Sequence, residues 1–417
     1  MTQVEMLSVA EAQRVILSHI QPCSVESAAL LESLGRVLAE DVIAQDDVPP
    51  FDNSGMDGYA VRADDVKDAG RDSPVTLNVV ADIAAGHPSD VVIKPGQAAR
   101  IMTGAPVPAG ADAVVPVEAT DEPMRGALPA QVKVLANSKR GEHVRLAGGD
   151  IRRRQKALSA GALIRPAEIA LMAALGVTQV RVIRRPRAAV LATGDELVEP
   201  GERLLPGQIR NANGWSTAAQ VMRYGGLPIQ LGIARDTADD LRAKLAEGLA
   251  AKADVFVVSA GVSVGAYDLV KDVVASEGEL NFWRVRMRPG KPLAFGHYHS
   301  VPFFGLPGNP VSAMLTFEQF VRPAVIKLSG RANWQKPVRE VELAEAVTSD
   351  GRETYARAWV GREGERYVAR LSGGQGSNVL SALAAANALV IIPAGQTRVE
   401  AGARVLAQML DWPEDVA

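Results

Sequence analysis

Four carboxylates, Asp195, Glu196, Asp236 and Asp268, follow apolar runs that read as buried strands, beside loops rich in glycine and proline. Several anions gathered on one edge repel a phosphate unless a divalent cation lies between them. Magnesium is the hard, oxygen-seeking ion that such a set selects, through one or two carboxylates and substrate phosphate. Each acid alone reads as a solvated loop residue or helix cap; the set reads as a metal–phosphate site. Opposing charge lies in Trp283-Arg284-Val285-Arg286-Met287-Arg288-Pro289-Gly290-Lys291, where alternation would place Arg284, Arg286 and Arg288 on one face of a strand. Such a row either holds an oxyanion by charge-assisted hydrogen bonds or forms a solvated strand face.

The loops that would carry this chemistry are Thr193-Gly194-Asp195-Glu196, residues 259–265 and Pro307-Gly308-Asn309-Pro310. All three fall at the carboxyl ends of predicted parallel strands, where open α/β sheets place ligands. The loop holding Gly261, Ser263 and Gly265 is either a tight strand-to-helix turn or a phosphate cradle, with a helix starting near Asp268 adding its positive end. Other chemistries lose ground: no serine-hydrolase elbow, Walker-type lysine loop or Gly-x-Gly-x-x-Gly fingerprint is present. The lone Cys23 excludes an internal disulfide and a cysteine metal cluster. His19, His87 and His143 are isolated in sequence, and His297 and His299 flank Tyr298 without an evident third ligand, so no histidine metal centre is expected.

Behind these loops, 417 residues imply several domains. A formal net charge of -3 gives no global attraction to nucleic acid or to an anionic membrane. No run approaches the ~20 apolar residues of a membrane span, and no signal core opens the chain, so a cytoplasmic protein is expected. Ser8 and Glu11 form a capping-box signature for a first helix, and a second helix is expected over residues 27–34. Short β-prone runs at 75–80, 91–93 and 114–117 mark a β-rich lobe over 51–144. Helical texture returns after Arg165-Pro166. From 181 strand-like and helical segments alternate to about 328, as βαβ units of a parallel sheet do. Beyond lie five short strand candidates, at 340–343, 354–360, 367–371, 388–392 and 404–410, which suggest a small barrel or sandwich.

Taken in order, the motifs resemble those of the MoeA family of molybdopterin molybdotransferases, which is similar to the C-terminal domain of gephyrin. The resemblance rests on residues 49–61 (PPFDNSGMDGYAV), Met102-Thr103-Gly104-Ala105, Thr193-Gly194-Asp195-Glu196-Leu197, Gly261-Val262-Ser263-Val264-Gly265 with Asp268, and residues 306–312 (LPGNPVS). It implies a multidomain α/β fold: a split helical domain (1–50 and 145–180), an inserted β-rich lobe (51–144), a central parallel-sheet molybdopterin-binding domain (181–328) and a C-terminal small β-barrel (329–417). It implies a homodimer whose active site is completed across the interface. The molybdopterin adenylyltransferase and molybdoenzyme maturation factors are candidate partners; nucleic acid and membrane are not.

The implied reaction inserts molybdate into the dithiolene of adenylylated molybdopterin, with magnesium, releasing AMP and molybdenum cofactor. Carried over by motif, Glu196, Asp236 and Asp268 stand for the magnesium-side acids, and Asp57 and Thr103 for residues reaching the site from the partner subunit. Asp150, Gly194, Gly261, Ser263, Gly265, Arg284, Arg288, Lys291, Pro307, Asn309, Pro310 and Ser377 stand for substrate binding. Two departures are visible. Arg284 and Arg288 replace lysines common in the family, presenting a planar fork rather than a point charge. Ala260 replaces a glycine, which narrows backbone approach there. A scaffold protein without catalysis and a tungstate-handling paralogue are the alternatives; the retained acids argue against the first.

Overall fold

The computed structural model describes residues 6–121, 126–260 and 264–412, apart from the side chains of 260, 264–268 and 280–283. The chain forms two compact units, Met1–Ala28, Gly35–Ala39 and Arg181–Ala417 in one, Ala29–Leu34 and Glu40–Val180 in the other.

The first unit opens with α1 (Val9–Ser18), whose capping box is present as expected: Glu11 N–H donates to Ser8 Oγ, and Ser8 N–H donates to Glu11 at 2.8 Å. An α/β region follows: β1 (Arg187–Thr193), α2 (Ala212–Arg223), β2 (Leu227–Ala234), α3 (Ala238–Ala250), β3 (Val255–Ala260), α4 (Val264–Glu277), β4 (Gly278–Arg284), β5 (Pro292–Tyr298), β6 (Val301–Leu306), α5 (Pro310–Thr316) and α6 (Arg322–Leu328). The sheet order is β2-β1-β3-β6-β5-β4. The first four strands are parallel, and β5 and β4 add antiparallel at one edge. Along β1 the side chains alternate between two cores: Ala188 and Val190 pack with Ile16, Val257 and Phe304, whereas Ala189 and Leu191 pack with Leu241, Phe256 and Val273. Both faces are covered, which is why the strands read as continuous apolar runs.

Five further strands, β7 (Val338–Leu343), β8 (Glu353–Glu363), β9 (Arg366–Leu371), β10 (Ala388–Ile392) and β11 (Arg404–Met409), close into a barrel in the order β8-β9-β7-β11-β10, with β10 returning to β8. Its interior holds Val341, Leu343, Ala358, Val360, Val390 and Met409. The expected barrel thus forms. A two-residue strand, Met287–Arg288, pairs in parallel with Glu353 and Thr354 at the start of β8 and ties the segment between β4 and β5 to the barrel.

The second unit holds a five-stranded sheet ordered Ala113–Pro116, Gly58–Val61, Gln97–Ile101, Val75–Ile83, Gln131–Val134. The run 91–93, expected as a strand, is irregular. The helix expected over 27–34 is also absent: Val25–Ala29 is a strand paired with Gln179–Ile183, and only Leu31–Ser33 makes a 3-10 turn. Those residues are good helix formers, but strand pairing outweighs a propensity worth tenths of a kcal/mol per residue. Among the described residues no helix is long and apolar enough to cross a membrane.

Candidate active site

The acidic edge is built where β1 and β2 end. Gly194 leaves β1 at φ +149°, a backbone conformation that favours glycine, and its N–H donates to Ala234 O at 3.1 Å. Asp236 N–H donates to Asp195 Oδ1 at 3.2 Å, and the Arg235 guanidinium donates to Asp195 O at 3.3 Å and Leu197 O at 3.4 Å. These bonds stitch the two loops together and set Asp195, Glu196 and Asp236 side by side. A Cβ on Gly194 would lie 2.4 Å from Glu196 Oε2, so the glutamate folds back over the glycine. Asp195 and Asp236 are exposed and Glu196 is half-buried. Neither the Glu196 nor the Asp236 carboxylate accepts a hydrogen bond from a described residue, which leaves both open to a cation. Two carboxylates fit magnesium's habit of taking one or two protein acids and completing its shell with water and phosphate. Among the described residues no three His, Cys, Asp or Glu side chains are grouped to hold a metal by themselves. Gly261 and Ser263 lie outside the described residues, as does the side chain of Asp268, and for Gly265 only the backbone is described.

A basic cavity of about 400 Å³ opens between the sheet region and the barrel. Arg288 and Lys291 enter it from the segment before β5, Ser312 from α5, Arg352 and Arg357 from the barrel, and Gln375 and Ser377 from the loop after β9. Arg357 is only 1% exposed. Its Nη2 donates to Gly374 O at 2.8 Å and Gly376 O at 3.1 Å, and its Nε has no partner. Burial, aided by the charge of Arg288, holds its pKa below the ordinary guanidinium value. Arg352, by contrast, is neutralised by Asp350 and donates to Met287 O at 2.9 Å. A buried cation without a carboxylate is costly, and an incoming anion relieves that cost.

Pro307, Asn309 and Pro310 form the turn from β6 into α5. Val311 N–H donates to Ser377 O at 3.1 Å, which joins this turn to the barrel loop and sets Ser377 near Ser312. Asn213 Nδ2 donates to Gly308 O at 2.7 Å and ties the turn to α2.

The arginine row does not stay together. Arg284 ends β4 exposed and does not line the cavity, Arg286 donates its N–H to Leu7 O at 2.8 Å with its side chain exposed, and only Arg288 turns inward. Alternation itself holds through 287, with Val285 and Met287 fully buried between the arginines, and only Arg288, where the chain pairs with β8, lines the cavity. Sequence reasoning missed Arg357, Arg352, Ser312 and Gln375. The available signal was an arginine inside the otherwise apolar run Tyr355-Ala356-Arg357-Ala358, where a charge has no structural reason to be.

In the second unit Asp57 and Thr103, 46 residues apart, meet directly: Thr103 N–H and Oγ1–H both donate to Asp57 Oδ1 at 2.7 Å. These bonds, the backbone one first, hold the Asp57 carboxyl below the usual range. Gly58 is obligatory beside it, since a Cβ would sit 2.0 Å from Val115 O. Asp150 is exposed, its N–H donating to Val48 O at 3.0 Å.

Comparison with known proteins agrees along the chain. Residues 7–176 match the MoeA N-terminal region (domain I and II), residues 189–327 the probable molybdopterin binding domain, and residues 340–410 the MoeA C-terminal region (domain IV). The chain is 41% identical over 383 residues to the molybdopterin molybdenumtransferase of Nostoc sp. strain PCC 7120, covering 90% of this chain and 86% of that one. It is 38% identical over 407 residues to molybdopterin molybdenumtransferase 2 of Mycobacterium tuberculosis, covering 96% and 98%. A crystal structure of a molybdopterin biosynthesis moeA protein from Pyrococcus horikoshii superposes with a TM-score of 0.81 at 31% identity, covering 98% of this chain and 100% of that one. The chain belongs to the MoeA family.

Proposed function

We propose that this protein is a molybdopterin molybdenumtransferase, inserting molybdate into the dithiolene of adenylylated molybdopterin with release of AMP and molybdenum cofactor. The observation that carries this reading is the buried Arg357, lacking a carboxylate partner, in a cavity shared with Arg288, Lys291, Ser312 and Ser377. That set offers a fixed positive field and hydroxyl donors to a small oxyanion without reorganisation. The names of its relatives support the same activity. Molybdenum favours thiolate ligands, and the chain's one cysteine is buried, its thiol pushed up to about 12 chiefly by burial, so the sulfurs belong to the substrate.

In this reading Arg288, Arg357, Lys291, Ser312 and Ser377 bind and orient molybdate. Pro307, Asn309 and Pro310 shape the wall between it and the pterin, and Gly194, Gly261, Ser263 and Gly265 give backbone access to the pyrophosphate. Glu196 and Asp236, with Asp268, would hold magnesium, which when bound supplies positive charge beside the pyrophosphate. Arg284 would extend the positive field outside the cavity. We further propose a cytoplasmic homodimer in which Asp57 and Thr103 of one copy complete the site of the other, in which Asp150 contributes to substrate binding, and in which the adenylyltransferase and maturation factors exchange substrate and product with it. No protein nucleophile is needed; the chain's work is positioning and electrostatics.

The test is direct. Purified protein incubated with adenylylated molybdopterin, molybdate and magnesium releases AMP and yields cofactor that activates an apo-molybdoenzyme. AMP release no faster than in a protein-free control overturns the proposal.

A further inference from the structure

His297 does not look toward His299. His299 sits at the hairpin turn at φ 46° with its Nε2 3.5 Å from Glu277. His297 faces His19, the residue capping the C-terminus of α1, with ring centroids 5.3 Å apart and ring planes inclined by 54°. Phe295 completes a triangle, its ring edge-on to both imidazoles at 5.9 and 5.8 Å, so one phenyl fixes the two rings. We propose that His19 and His297 form a two-imidazole site for a divalent cation of the zinc class, separate from the carboxylate edge that the reaction would use.

Two imidazoles bound to one tetrahedral zinc, each nitrogen about 2.0–2.1 Å from the ion, hold their ring centroids roughly 5 Å apart and do not stack. The His19–His297 pair has that separation and is not stacked before any ion binds. The C-terminal end of α1 already meets a cation, since Lys327 Nζ donates to Leu17 O at 2.8 Å, so the negative charge beside the pair comes from β4. Glu279 pairs with His297 across the β4–β5 ladder and acts on it electrostatically. Among the described residues no third histidine or acid completes the shell, so the remaining positions belong to water or an added ligand. An ion there ties the end of α1 to β5, the strand whose first residue, Pro292, lines the basic cavity.

Zinc chloride titrated calorimetrically into the whole protein in excess magnesium should show one site, and zinc should raise the melting temperature. His19→Ala and His297→Ala should each weaken that site by at least the roughly 10–100-fold that loss of even an outer-shell partner costs. His299→Ala should leave it unchanged, and all three variants should melt near wild type without zinc, since His19 and His299 are exposed and His297 is half-buried. Absence of a site, or zinc binding unmoved by both His19→Ala and His297→Ala, overturns the proposal. So does equal loss in His299→Ala, because the ion would then bind elsewhere.

Discussion

The carboxyl edge of the sheet and the cavity against the barrel lie in one compact unit, carry opposite charge and are held in opposite ways. At the edge the backbone does the fixing: Gly194, Asp195 and Asp236 are joined by main-chain donors, and the Glu196 and Asp236 carboxylates are left open. In the cavity the charged group itself is fixed, since Arg357 Nη2 donates to two loop carbonyls while its Nε stays unsatisfied. Acids that are exposed or only half-buried can await an exchangeable cation at little cost in stability. A buried guanidinium cannot be left idle so cheaply, and its presence argues for a ligand more strongly than any number of surface charges.

The largest effect should therefore come from Arg357→Ala. Removing one preorganised donor from a charge-stabilising site costs about 10²–10³ in turnover, and here the loss should appear as a higher molybdate requirement together with slower AMP release. Binding of the adenylylated pterin, followed by fluorescence quenching, should be little altered. Equal loss of pterin binding would mean that Arg357 holds the fold and not the oxyanion, and the contrast between the two regions would collapse.

The acidic edge was legible in the sequence because its geometry is local: apolar runs end in glycine loops, and strand order does the rest. Ala238–Ala250 and Ala388–Ile392 run over the expected residues for the same reason, being set by periodicity and breaker residues. The basic cavity was only partly legible. Arg288, Lys291 and Ser377 were named from motif, whereas Arg357 and Ser312 reach it through closure of the barrel and the bond between Val311 and Ser377, contacts spanning tens of residues. The row of Arg284, Arg286 and Arg288 shows that period-2 reasoning finds the face and not the ligand, since only Arg288, where the chain takes a second partner, lines the cavity. Residues 27–34 show the limit of helix propensity, where a remote strand decided the outcome.

Next in size are the acids. Glu196→Gln and Asp236→Asn should each raise the magnesium concentration needed for half-maximal AMP release, by roughly tenfold for one lost carboxylate ligand, equivalent to ~1.4 kcal/mol. The molybdate requirement should stay put. A rise in the molybdate requirement with no change for magnesium would reverse the assigned division of labour. Ser377→Ala sharpens the other side: a neutral hydroxyl donor is worth about 1 kcal/mol, so the molybdate requirement should rise about fivefold. An unchanged value would remove that hydroxyl from the oxyanion set.

The smallest expected effect concerns Asp57, a carboxylate that, unlike Glu196, already has its donors within the chain. Its folded-state pKa lies below the unfolded value of about 3.9, so its contribution to stability is present above that pH and lost as pH falls through the lower folded value. Thr103→Val deletes the hydroxyl donor and spares the backbone N–H. At an exposed site the cost should stay within about 1 kcal/mol. Denaturant unfolding should show the variant slightly less stable at pH 7, with the two proteins converging as pH falls through the lowered folded value and the carboxylate protonates in both. A gap that persists after the Asp57 carboxylate has been protonated in the folded protein would trace the loss to packing of the threonine side chain and not to the hydrogen bond.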